Sequence, residues 1–214
     1  MTLRERACKH RRWKSAVLFA ITLFVAPACA LTFTERILPL KGDITGASNA
    51  GSPRALLVLD REFTNYKHIM YMGDHYVYEL GDMFNTAAED VAHALFAEVV
   101  VGQSDNPPAN VDLIVVPRVA AVRMSAFSWT QFEKVVTTVS IEWTIREANG
   151  RTVWLDTLDG EASSVVGTIS SRNQLAIQRL RSASTLAFRN AMIRIREAPE
   201  MQRWFSNAPT GVGR

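Results

Sequence analysis

The chain has 214 residues, 48% hydrophobic and 21% charged, which gives it the length and apolar content for one domain with a sizeable core. Its formal charge of +3 comes from 24 basic and 21 acidic residues, yet residues 1–28 hold six of those bases and one acid, leaving 18 against 20, a net −2. A body of that charge lacks the basic surface that neutralising phosphates requires, which argues against nucleic acid as a partner.

The basic residues Arg4, Arg6, Lys9, Arg11, Arg12 and Lys14 lead into an apolar run over residues 16–26, closed by Pro27-Ala28-Cys29-Ala30. A basic region, a short apolar core and small residues at a cut site are the three parts of a secretory signal peptide, expected here over residues 1–28. An uncleaved anchor is the competing reading. It is disfavoured because a membrane-spanning helix needs about 20 apolar residues and Pro27 would end a helix early. The signal places the working protein outside the cytoplasm.

Cys8 and Cys29 are the two cysteines, and only Cys29 remains once the signal is removed, so the mature chain forms no internal disulfide. Ala26-Pro27-Ala28-Cys29 resembles the lipobox of bacterial lipoproteins, although that pattern usually has Leu first and rarely Pro second. The resemblance implies a lipid anchor on Cys29, and Ala30 in place of Asp implies the periplasmic side of the outer membrane. Cleavage after Ala28 or Ala30 also fits a small-x-small site and would leave a soluble periplasmic protein.

Residues 29–53 then read as anchor site and linker, with Gly42, Gly46, Ser48, Asn49, Gly51, Ser52 and Pro53 crowding its end, a spacer that would hold the folded body off the membrane. Ala55–Leu59 is a buried strand by its apolar run. Tyr76–Leu80 is a brief strand expected at a sheet edge. Asp82 to Val101 reads as a helix capped by Asp82, with Phe84, Ala88, Val91, Leu95 and Val99 on one stripe and Gly102 as its stop. After the turn at Asn106–Asn110, Leu113–Val122 is a strand whose Pro117 implies a bulge or an unpaired N–H. Ser125–Phe132, with Phe127 and Trp129, interrupts the strands.

Val135–Arg146 alternates apolar and polar, the pattern of a strand with one face buried. Asn149-Gly150 marks its turn. A two-residue loop would set Trp143 opposite Asp156; a three-residue loop with Gly150 left-handed sets Trp143 opposite Leu155 and Ile145 opposite Val153, keeping apolar with apolar, and is the expected register. Ser170 or Ser171 caps a last helix, residues 172–197, with Ile177, Leu180, Ser184, Phe188, Ala191 and Ile195 as its packing stripe. Pro199 ends it, and 199–214 reads as a flexible tail. The fold class is α+β: a single domain over 54–198, with a mixed or antiparallel sheet of about four strands and two helices packed on one face.

Chemistry is harder to find. A phosphate loop and a Gly-x-Ser-x-Gly elbow are absent. His68, His75 and His93 remain after cleavage, but the paired spacings of zinc motifs do not occur, and Asp74-His75 with His93 is an ordinary set of turn and surface residues, so no metal or cofactor is expected. Ser163, Ser164, Ser170 and Ser171 have no histidine in their half of the chain to complete a triad. The remaining charged feature is the last helix, where Arg172, Arg179, Arg181 and Arg189 offer a surface for an anionic partner, with a solvated helix face as the plain alternative. Trp154, on the opposite strand face from Leu155, is the aromatic expected to meet a partner or the other side of the sheet. Trp143 is expected in the core.

The order strand, helix, three strands, long helix behind a lipobox-like signal resembles a group of small envelope proteins that includes the lipopolysaccharide-transport plug lipoprotein, the amino-terminal domain of TolB and the curli-secretion lipoprotein. That resemblance implies a non-catalytic assembly, docking or transport accessory whose partner is an envelope protein or lipid. A soluble periplasmic binding module for a small amphiphile is the second reading, and an unrecognised hydrolase the third.

Overall fold

A computed structural model describes residues 32–38, 44, 53–72, 74–103, 108, 110–125, 134–165 and 172–206. The signal segment, Cys29, Trp129, the expected caps Ser170 and Ser171, and residues 207–214 lie outside the described residues. The described elements belong to one unit that begins at Thr32. In chain order they are β1 (Thr32–Arg36), β2 (Arg54–Val58), α1 (Arg61–Thr64), β3 (Lys67–Met72), β4 (Asp74–Glu79), α2 (Gly81–Leu95), β5 (Glu98–Gly102), β6 (Leu113–Met124), β7 (Lys134–Glu147), β8 (Thr152–Val165), α3 (Arg172–Glu197) and α4 (Pro199–Ser206).

The α+β class holds, with more strands than the sequence suggested. They form two sheets, a five-stranded one ordered β5-β2-β6-β7-β8 and a three-stranded one ordered β1-β4-β3. The pairs β5–β2, β2–β6 and β1–β4 are parallel, and the others antiparallel. One face of the large sheet carries Ala55, Leu57, Leu113, Val115, Val139, Ile141, Trp143 and Ile145, all buried. Helices α2 and α3 cover that face: the Phe188 ring lies 5.9 Å from both Trp143 and Phe84. The alternation of β7 thus does what its period demands, with odd residues in the core and even residues toward solvent.

Three expectations change. Glu98–Gly102 is not the end of a helix but strand β5, parallel to β2. Helix α2 ends at Leu95, Phe96 turns extended, and Val99-Val100-Val101 are β-branched residues that prefer the pleat. Strand β4 is central in the small sheet rather than at an edge, because β3 and β1, both unread in the sequence, flank it. Asp82 does not cap α2: the helix begins one residue earlier, Leu80 occupies the cap with no side-chain bond, and Asp82 sits in the first turn, paired with Arg36. A carboxylate there still complements the helix dipole.

Two segments expected to lack structure are built. Strand β1 falls inside the expected linker, and α4 inside the expected tail, where Met201 is fully buried and Phe205 packs on Phe96 with ring centroids 6.2 Å apart.

The hairpin loop is partly as read. Glu147 N–H donates to the Arg151 carbonyl (2.9 Å) across Ala148-Asn149-Gly150, and Gly150 takes φ 91°, so the loop has three residues and a left-handed glycine. The register beyond it differs. A shift between Ile145 and Arg146 leaves Val153 as an extra residue, so Trp143 faces Asp156 and Ile145 faces Trp154. The reason lies farther along β8. Without the bulge, Asp159 and Glu161 would point into the core; with it, Leu158, Gly160 and Ala162 do, and the two acids face solvent. Gly160 lets α3 approach closely, since a Cβ there would lie 1.9 Å from the Ala183 carbonyl oxygen. In β6, the irregularity falls between Val119 and Ala121 rather than at Pro117. Because β2 pairs only as far as Val115, Pro117 has no ladder bond to break on that side.

Candidate functional site

The expected arginine surface does not assemble as read. Arg179 is 3% exposed and points inward from α3, while Arg181 is half-buried and Arg189 exposed. Arg172 opens the helix, and its side chain lies outside what the structure describes. Trp154 is turned by the Val153 bulge onto the core face, half-buried against the central cluster, and Leu155 is the exposed neighbour instead. The spacing of Ala176, Leu180, Ala183, Ala187 and Ala191 carries the information about Arg179 that its charge conceals. Those apolar residues line the buried stripe, and position 179 lies between them.

Arg179 belongs to a polar cluster where the small sheet meets the start of α3. Its Nη1 donates to Ser164 Oγ at 3.1 Å. Nearby, the fully buried Tyr78 of β4 donates its hydroxyl to Asn173 Oδ1 at 3.0 Å, and Asn173 Nδ2 donates to Glu35 Oε1 of β1 at 3.0 Å. Burial, reinforced by Tyr76 and the Glu35 carboxylate and partly offset by Arg179, pushes the Tyr78 phenol up to about 12. At neutral pH that hydroxyl is therefore a proton-bearing donor, unsuited to act as a base. Burial also lowers the Arg179 pKa, with Tyr78 opposing. What the cluster does is physical: directional bonds tie β1, β4 and β8 to α3 at a partly buried junction, where the lower local dielectric strengthens each bond. Tyr78, Asn173 and Glu35 were invisible as a set in the sequence because 138 residues separate Glu35 from Asn173.

The histidines do not converge. His75 on β4 packs edge-on against Tyr71 at 4.5 Å, His93 is exposed on α2, and burial lowers the pKa of His68 on β3. Among the described residues, no group of three His, Cys, Asp or Glu could hold a metal ion.

One end of the small sheet is aromatic. There the start of β1 lies beside the β3–β4 hairpin: Thr32 pairs with His75, Phe33 with Tyr76, and Tyr71 with His75. Phe33 and Tyr76 stack at 5.3 Å with planes 19° apart. Phe33 is 41% exposed and Tyr71 68%.

No family model matches the chain, and no curated protein matches it. Among solved structures, it is similar to a minor lipoprotein from Acinetobacter baumannii, with 15% identity over 71% of this chain and 95% of that one, at a TM-score of 0.44. It is also similar to a protein from Xanthomonas campestris, with 11% identity over 76% of this chain and 97% of that one and a TM-score of 0.43. A lipoprotein from Neisseria meningitidis shows 14% identity over 60% of this chain and 95% of that one, at 0.34. None of the three is the lipopolysaccharide-transport plug lipoprotein or the TolB domain that the element order suggested. No role is carried over from them. Among the described residues, no helix is long and apolar enough to cross a membrane.

Proposed function

We propose that the protein is a non-catalytic lipoprotein of the bacterial envelope, tethered through Cys29 and serving assembly, docking or transport by contact with another envelope component. The observation that carries this reading is the position of Cys29, behind a basic and apolar export segment and only three residues before the first strand. A lipid there attaches to the folded body directly. Support for a contact role comes from where the polar chemistry lies. Arg179 and Tyr78 are used up in joining sheet to helix, while apolar side chains such as Ile69, Tyr71 and Leu155 stand in solvent. Ile69 and Tyr71 stand on the same face of β3, and exposed apolar residues grouped in this way favour recognition of a partner.

The test is affinity purification of the tagged full-length chain from detergent-solubilised envelope. The reading predicts the protein in the membrane fraction, with a reproducible partner recovered from it. A chain found wholly in the soluble periplasmic extract, or recovered without partners over repeated purifications, contradicts it.

A further inference from the structure

Strand β1 begins so soon after Cys29 that the geometry of the small sheet fixes which part of the body meets the membrane. The three residues from Cys29 to Thr32 reach at most about 11 Å even when fully extended. The expected long spacer is therefore not where the tether runs, since Thr32 is already paired to His75. Because β1 and β4 run parallel, the entry of β1 lies at the same end of the sheet as the β3–β4 turn. That end carries aromatic residues on both faces. Tyr71 and His75 stand on one, in edge contact; Phe33 and Tyr76 stack on the other. Tyr71 is the most exposed large apolar residue described, Phe33 is partly exposed, and both lie within two rungs of Thr32.

We infer that this aromatic tip is a membrane-contact surface, seated at the headgroup level of the phospholipid bilayer that the lipid on Cys29 enters. The inference rests on the anchored reading and adds an orientation to it. Amphipathic rings favour the interface between headgroups and hydrocarbon, where one part of the side chain is apolar and the other wet. His75 at the same end is tolerated in that polar layer, and the hydrocarbon core would not accept it.

Hydroxyl-radical footprinting read by mass spectrometry tests this residue by residue. The full-length gene is expressed, wild-type protein is purified from membranes and reconstituted into vesicles of phosphatidylethanolamine and phosphatidylglycerol, and the Cys29→Ser protein serves as the reference in solution. Oxidation of Tyr71 and Phe33 is expected to slow severalfold on the vesicles, with Leu155 of the other sheet unchanged. Equal oxidation of Tyr71 and Phe33 in the two samples overturns the tip while leaving the anchor intact. Equal slowing of all three residues also overturns it, since burial would then not be confined to this end. Wild-type protein absent from membranes overturns both the tip and the anchored reading.

Discussion

Replacing Gly160 with alanine separates two effects of opposite sign. Gly160 lies in β8 and is not among the positions with positive φ, so alanine can adopt its backbone conformation. On chain entropy alone, Gly→Ala at such a site stabilises by about 0.4–1 kcal/mol, because the unfolded chain loses freedom. Packing opposes this. The added Cβ would stand 1.9 Å from Ala183 O and 2.3 Å from Ala187 N, backbone atoms that no rotamer change can move. Ordinary contact begins near 3.4 Å, so α3 would have to retreat from the sheet by about 1.5 Å. Overpacking of this kind costs about 1–3 kcal/mol and occasionally more, which exceeds the entropic gain. For a chain of this size each kcal/mol shifts Tm by about 2–4 °C, so Gly160→Ala should melt several degrees below wild type in a circular-dichroism scan. A Tm equal to or above wild type would refute the close approach of α3 to β8.

Arg179→Ala should cost about 1–3 kcal/mol by urea denaturation, since it removes a buried side chain's packing and its bond to Ser164, whereas exposed Arg189→Ala should stay within about 0.5 kcal/mol. Similar losses in both would mean that Arg179 is not interior. Met201→Ala should cost about 2–4 kcal/mol, a value measurable by the same denaturation and incompatible with a flexible tail. Tyr78 fixes a pH dependence. Its folded pKa of about 12 exceeds the ordinary 10.0, so the folded state holds its proton where the unfolded state releases it. That contribution to stability is complete below pH 10 and is lost as pH rises through 12. Tyr78→Phe should therefore flatten the decline of Tm above pH 10, and an unchanged decline would contradict the burial of that phenol.

Where the sequence was legible, one period dominated. Val135 to Arg146 alternate apolar and polar character in the sequence, and in the structure the same twelve residues alternate without exception between buried and half-buried. Where it was not, two signals competed. The stripe ending in Val99 extends the helical period past Leu95, and only the three successive valines mark the change to β5. The turn-proximal pairs of the β7–β8 hairpin favoured a register that Asp159 and Glu161, far from the turn, could not accept; the bulge at Val153 reconciles the two, and with it the place of Trp154. The charge of Arg179 points to the surface, whereas its helical phase, shared with Ala176, Ala183 and Ala187, puts it on the buried face. Strand β1 was hidden for a different reason. Thr32–Arg36 gains its partner from β4, 43 residues away, and carries little pattern of its own. The interior junction around Tyr78 inherits the same difficulty, since three of its members come from elements that sequence alone keeps apart.

The membrane-tethered reading meets its most direct test in the mass of the mature amino terminus. Mass spectrometry of the protein purified from cells expressing the full-length gene should find a chain that begins at Cys29 and carries the added mass of its acyl groups, with that mass absent from the Cys29→Ser variant. An unmodified chain beginning at Cys29 or Leu31, the products of ordinary cleavage after Ala28 or Ala30, would contradict the anchor.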